Sequence, residues 1–193
     1  KLNVNPSLLG FGCMRFPKKE DGTIDEVEAE RMLDHAIESG VTYIDTAYPY
    51  HDGESEPFVG RVLKKYKRED FYLATKLPMF KIDSLEQAKE ILEEQIKRLD
   101  VDYVDFYLLH ALNKDTWKKV IDLNIIPYCE ELKKQGRIKN FGFSFHDDYE
   151  VFEEILNYYP WDFCQIQLNY MDTEIQAGMK GYHLAEEKGI PVI

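Results

Sequence analysis

Cysteine is scarce in this chain. Cys13, Cys129 and Cys164 are its only three, and no two of them form a C-x-x-C pair. An odd, scattered set argues against a disulfide framework or a cysteine-ligated zinc site and points to reduced thiols in a cytoplasmic protein. Long apolar runs are missing too. Nothing approaches the roughly 18 residues of a membrane span, and no signal peptide is visible. Positive charge is in deficit, with 24 Lys and Arg against 36 Asp and Glu, a net −12. That balance excludes nucleic acid and anionic membrane as general partners, although a local basic pocket stays compatible with it. The full G-x-G-x-x-G fingerprint is absent, because the first apolar segment ends in GFGCMR, with two glycines and no third. Nor is there a linker or low-complexity tract, so residues 1–193 read as one domain.

What the chain does contain is an alternation of apolar strands and amphipathic helices. Strands are expected at 8–12, 41–45, 71–75, 104–110, 138–144 and 163–168, with a seventh beginning at 190–193. Between them, Asp25 with Glu28 opens a helix carrying Ala29, Met32, Leu33, Ala36 and Ile37, which Gly40 stops. A second helix is expected near 55–66. Ser84 with Gln87 caps a third, whose stripe is Leu85, Ala88, Leu92, Ile96 and Leu99. A helix lies within 115–135, Asp147 with Glu150 opens another, and a last one spans 174–188.

Alternating strands and helices imply parallel βαβ units with right-handed crossovers. An open doubly wound sheet and a (β/α)8 TIM barrel both satisfy the pattern. The missing third glycine disfavours the first. Polar residues at the ends of many different strands favour the second, because a barrel gathers its chemistry there. The expected fold is therefore an α/β TIM barrel that stops within its seventh strand, with open edges and weak cofactor binding by these residues alone.

The stretch VTYIDTAYPYHDGESE, Val41 to Glu56, organises the chemistry. Its strand drops at once into Asp45, with Tyr50 in the loop above, and a buried carboxylate there needs a partner. Later strands end at Lys76, His110, Ser144 and Gln165/Gln167/Asn169, which a barrel would gather into one bowl. An ammonium beside a phenol favours the phenolate, so Lys76 is expected to lower the pKa of Tyr50, with Asp45 holding Lys76 charged. Neutral His110 would direct a substrate carbonyl toward Tyr50. Such a set suits general-acid reduction of a carbonyl and requires a hydride from a nicotinamide.

These stretches resemble the aldo-keto reductase family over essentially the whole chain. The matching segments are LGFGCMR, ESGVTYIDTAYPY, LATK, DFYLLH, GRIKNFGFS and QIQLNY. The resemblance implies a catalytic tetrad of Asp45, Tyr50, Lys76 and His110 acting on a small carbonyl substrate. It implies NADPH as cofactor, with NADH as the alternative, its carboxamide held near Ser144 and Gln165. The family commonly has Ser-Asn after its fifth strand, where this chain has Ser144-Phe145-His146. GCMR, PYHDGESE and QLNYMD are similar to a subset of the family with a C-terminal ferredoxin-like iron–sulfur module. No such cysteine cluster occurs here, and no metal is assigned. The family's eighth strand and its basic loop for the 2′-phosphate are likewise not in this sequence.

Taken singly, each of these residues has an ordinary structural reading. Asp45 could cap a turn, Lys76 could be a solvated strand end and His110 a satisfied core histidine. His51 reads as an exposed loop residue, Cys13 as a buried inert thiol, and Glu26, Glu28 and Glu30 as a solvated helix face. Two other functions fit some of the residues. One is a metal-dependent barrel hydrolase using His110, His146 and Asp45. The other is a cofactor-binding sensor subunit of the same fold with little turnover.

Overall fold

Strands and helices alternate in the computed structural model of the chain, which describes residues 2 and 4–193. The strands are β1 (Gly10–Gly12), β2 (Tyr43–Asp45), β3 (Tyr72–Leu77), β4 (Val104–Leu112), β5 (Ile138–Phe145) and β6 (Phe163–Gln165). The helices are α1 (Glu26–Glu38), α2 (Ser55–Leu63), α3 (Leu85–Leu99), α4 (Lys114–Asp122), α5 (Ile125–Lys134), α6 (Tyr149–Tyr158) and α7 (Gly178–Glu187). All the pairings are parallel, and the sheet order is the chain order, β1 to β6. A doubly wound sheet must reverse its strand order at a switch point. This one does not.

Ring contacts show that the sheet curls. Phe106 of β4 packs edge-on against Tyr43 of β2 and Phe163 of β6, with centroids 5.0 Å apart in both pairs. In a flat sheet, strands two apart lie nearly 10 Å from each other. Meeting across that distance requires a concave inner face. Side chains from alternate strands forming one interior layer are the arrangement of a TIM barrel. Gly142 of β5 makes room for the layer, since a Cβ there would lie 2.4 Å from the Phe163 carbonyl oxygen. Tyr43, Ala74, Phe106, Leu108 and Phe163 make up this inner cluster, and a larger outer core fills the space between sheet and helices. The architecture is thus the α/β half-barrel that the alternation implies.

Two helix starts form as their sequences dictate. The Asp25 side chain accepts from the Glu28 amide at 3.3 Å, and Ser84 Oγ accepts from Gln87 N at 3.3 Å. Elsewhere the boundaries differ from expectation. Segment 8–12 is not a buried strand: only 10–12 pairs, and Leu8 and Leu9 are exposed because β1 has a neighbour on one side only. Of 163–168, only the first three residues pair with β5. Segment 190–193 adds a bridge between Val192 and Cys164 rather than a seventh strand, its parallel bonding confined to residues 191 and 193. Region 115–135 holds two helices, broken where Asn124 turns left-handed at φ 54°. The sixth helix starts after Asp148 because the Asp147 carboxylate instead accepts from Lys114 N at 2.7 Å. The seventh starts late, after left-handed Gln176 and at left-handed Gly178.

Candidate active site

The two-residue period of a strand decides where the polar strand ends point. Each lies two positions beyond a residue of the inner face. Asp45 follows Tyr43, Lys76 follows Ala74, His110 follows Leu108, Ser144 follows Gly142 and Gln165 follows Phe163. All five therefore rise from the apolar interior at the C-terminal end of the sheet. They line one cavity of about 250 Å³ with Tyr50, Phe145, His146 and Gln167. Asn169, expected in the same bowl, is not there. It faces its own loop, accepting from the amides of Met171 and Asp172. A larger cleft of about 630 Å³ between residues 18–26 and 51–54 carries none of the strand-end groups.

Lys76 is the centre of the site and is 1% exposed. Its ammonium donates to Asp45 Oδ1 at 2.5 Å, to the Thr46 carbonyl at 2.9 Å and to the Tyr50 hydroxyl at 3.2 Å. All three of its protons are used. Burial alone would push its pKa down, but Asp45 and then Tyr50 more than offset that, and it stands above the ordinary lysine value. Gln165 Nε2 donates to the other Asp45 oxygen at 3.3 Å. The metal-hydrolase alternative therefore meets an ammonium where its cation would sit. Among the described residues, no group of three or more His, Cys, Asp or Glu is placed to hold a metal ion.

Tyr50 comes from the loop after β2, at the start of a 3₁₀ turn, Tyr50–Gly53. His51 and Asp52 are left-handed there, at φ 52° and 56°. The Tyr50 ring meets His110 edge-on at 5.7 Å. Its pKa corrects the sequence expectation. Burial raises it, Lys76 pulls it down and Asp45 pushes it up again, and the net position lies above the ordinary phenol. The ammonium that lowers the phenol is itself paired with a carboxylate, so its field at Tyr50 is partly cancelled.

His110 is neutral, as expected. Burial depresses its pKa to about 3, with Lys76 and His146 adding to the effect. Its Nδ1 is buried without a hydrogen-bond partner. A histidine neutral when folded but ordinary when unfolded makes stability depend on pH. Between about 6.5 and 3 the unfolded chain binds the proton first. The histidine's contribution is thus complete above 6.5 and is lost as pH falls, by up to about 1.4 kcal/mol per unit. His110→Gln should flatten that slope. Urea midpoints at pH 7.5 and pH 5 check this, and identical slopes in variant and parent would refute it.

Ser144 and Gln165 reach the cavity wall. Ser144 Oγ accepts from the Ala111 amide at 2.8 Å, so the hydroxyl proton is left to donate. His146 Nδ1 lies 3.1 Å from Gln176 Oε1 on the rim. Cys13 is fully buried, and burial first, then Asp45, hold its thiol well above the usual range, in line with an inert group. His51 is half-buried rather than exposed, because its Nε2 accepts from the Phe16 amide at 3.1 Å. The acidic face of α1 is more than solvated. Glu26 pairs with Arg61 and Glu30 with Lys65, joining α1 to α2 and to the turn that follows it.

Gln167, expected in the bowl, does line the cavity, with its Oε1 buried and unpaired. Sequence reasoning missed two features. Phe80 stands over His110 with centroids 5.6 Å apart. Behind β3, Glu56 and Gln95 are fully buried. Gln95 had a signal, since it falls three residues after Leu92 and four before Leu99, within the apolar stripe.

Comparison with known proteins is consistent with this geometry. The model of the aldo/keto reductase family matches residues 8–193. The uncharacterized oxidoreductase YqkF of Bacillus subtilis is 35% identical over 74% of this chain and 46% of its own length. The NADH-specific methylglyoxal reductase of Escherichia coli is 26% identical over 86% of this chain and 56% of its own length. The solved structure of aldo-keto reductase AKR11C1 from Bacillus halodurans, holo form, superposes with a TM-score of 0.79 at 32% identity. It covers 99% of this chain and 62% of that one. The chain spans about half the length of these curated relatives. No helix among the described residues is long and apolar enough to cross a membrane.

Proposed function

The chain belongs to the aldo/keto reductase family, and we propose on that premise that it serves the reduction of an aldehyde or ketone to an alcohol. The cofactor is NADPH, with NADH as the alternative, and Tyr50 is the proton donor. The observation that carries this reading is the Lys76 ammonium, which bridges Asp45 at 2.5 Å and Tyr50 at 3.2 Å beside a neutral histidine. A phenol held above its ordinary pKa keeps its proton at neutral pH, which is the donor form. Lys76 then acts as the proton leaves. Negative charge appears on Tyr50 Oη next to a fixed, buried ammonium, where such preorganised charge is most effective. Asp45 keeps that ammonium charged and in place. Unpaired His110 is free to hydrogen-bond the substrate carbonyl and aim it at Tyr50.

The residues present suit a nicotinamide, which supplies the hydride when bound. Its carboxamide has two N–H donors and one acceptor. Gln167 Oε1 is a buried acceptor with no partner, and Ser144 keeps a hydroxyl proton to give. Gln165 offers its remaining amide oxygen. Gln165→Ala should weaken cofactor binding with little effect on folding. Fluorescence titration measures this, and equal affinity together with an equal rate would remove Gln165 from the site. Steady-state oxidation of NADPH and of NADH with a panel of aldehydes tests the function itself. Saturable cofactor binding with no turnover would move the reading to the sensor subunit.

A further inference from the structure

Behind the site lies a polar cluster in a place that ordinarily holds apolar packing. Glu56 of α2 and Gln95 of α3 are both fully buried between helices and sheet. Gln95 Nε2 lies 2.8 Å from Glu56 Oε1, 3.0 Å from Thr75 Oγ1 and 3.0 Å from the Lys76 carbonyl oxygen. The Tyr107 hydroxyl donates to Gln95 Oε1 at 2.9 Å. Thr75 Oγ1 donates to Glu56 Oε1 at 2.6 Å. The other Glu56 oxygen faces Arg98, at 3.4 Å. That guanidinium also donates to the Tyr48 carbonyl at 3.4 Å and lies 4.3 Å from the centre of the Tyr48 ring.

One carboxylate therefore ties together two pieces of backbone. Through Oε1 it holds β3 at Thr75 and, by way of Gln95, at the carbonyl of Lys76. Through Oε2 and Arg98 it holds the loop at Tyr48, two residues before Tyr50. Thr75 points toward the helices and Lys76 toward the interior, because successive strand residues face opposite ways. Pinning β3 from the helix side thus sets how Lys76 projects into the cavity. Apolar residues of similar volume would fill this interface at equal or lower cost than a buried carboxylate. Stability alone does not account for the cluster.

We propose that Glu56 and Gln95 are positioning residues, which hold the Lys76 ammonium and the Tyr50 hydroxyl at the separation that proton donation needs. This rests on the assignment of Tyr50 as the acid. Gln95→Met keeps the volume and removes the amide. Thr75→Val is near-isosteric and retains a β-branched strand residue, so it folds even if the first variant does not.

The test measures kcat, cofactor affinity and the pKa of Tyr50 itself, the last by NMR of protein labelled with ¹³Cζ tyrosine and assigned with Tyr50→Phe. Gln95→Met should lower kcat at least about tenfold, within the hundredfold that about 1 Å of misplacement can cost. Cofactor affinity should not change. The Tyr50 pKa should rise, because the neighbouring ammonium is what pulls it down. Thr75→Val should move both quantities in the same direction by less. Parental kcat and parental Tyr50 pKa in Thr75→Val, with Tyr50→Phe inactive, would overturn the inference and leave the proposed function standing. An active Tyr50→Phe would overturn the reading beneath it.

Discussion

Tyr50→Phe should lower carbonyl reduction by at least about a hundredfold, the loss typical of a missing general acid. The fold should survive. Only a hydroxyl is removed, the ring contact with His110 is kept, and Lys76 retains two of its three acceptors. The stability cost should be about 1 kcal/mol, that of one ordinary hydrogen bond. Loss of rate without loss of cofactor binding would separate proton donation from site assembly. Single-turnover reduction at saturating cofactor gives the rate, and a denaturant titration gives the stability. Retention of more than about a tenth of the parental rate would sink the assignment of Tyr50.

Lys76→Met should be costly twice over. Removing the ammonium leaves the Asp45 carboxylate buried with only Gln165, at 3.3 Å, on its side chain. Breaking one half of a buried pair costs about 3–5 kcal/mol, because the remaining charge is uncompensated. The rate should fall for a separate reason. With the ammonium gone, burial and Asp45 act on Tyr50 unopposed and its pKa climbs further. The pH limb belonging to the tyrosine should therefore move upward. A second substitution separates the two costs. Lys76→Met with Asp45→Asn removes the stranded charge, so it should recover much of the stability and none of the activity. Activity returning along with stability would show that Lys76 serves the fold alone. An unchanged pH profile in the single variant would show that Tyr50 and Lys76 are uncoupled.

Much of the site was legible because a strand has a period of two. Asp45, Lys76, His110, Ser144 and Gln165 each stand at the end of an apolar run, and chain order already placed each on its own strand. Parallel strands joined by helices then bring those ends to one side. Asn169 shows the limit of that reasoning. It lies beyond the end of β6, where the period no longer holds and the chain bonds to itself. The left-handed backbone at Asn124 and Gln176 was equally out of reach, and it moved the bounds of α5 and α7.

By itself the sequence determined the alternation of elements and the polar residues that stand at the strand ends. Each of these depends on neighbours a few residues apart, and local spacing encodes them. Tertiary structure alone decided the rest. The sign of the Tyr50 shift depends on burial and on two opposed charges brought together by β2 and β3. The polar tie between Glu56 and Gln95 joins residues 39 positions apart. Electrostatics and desolvation follow distances in space, and those distances exist only once the sheet has curled.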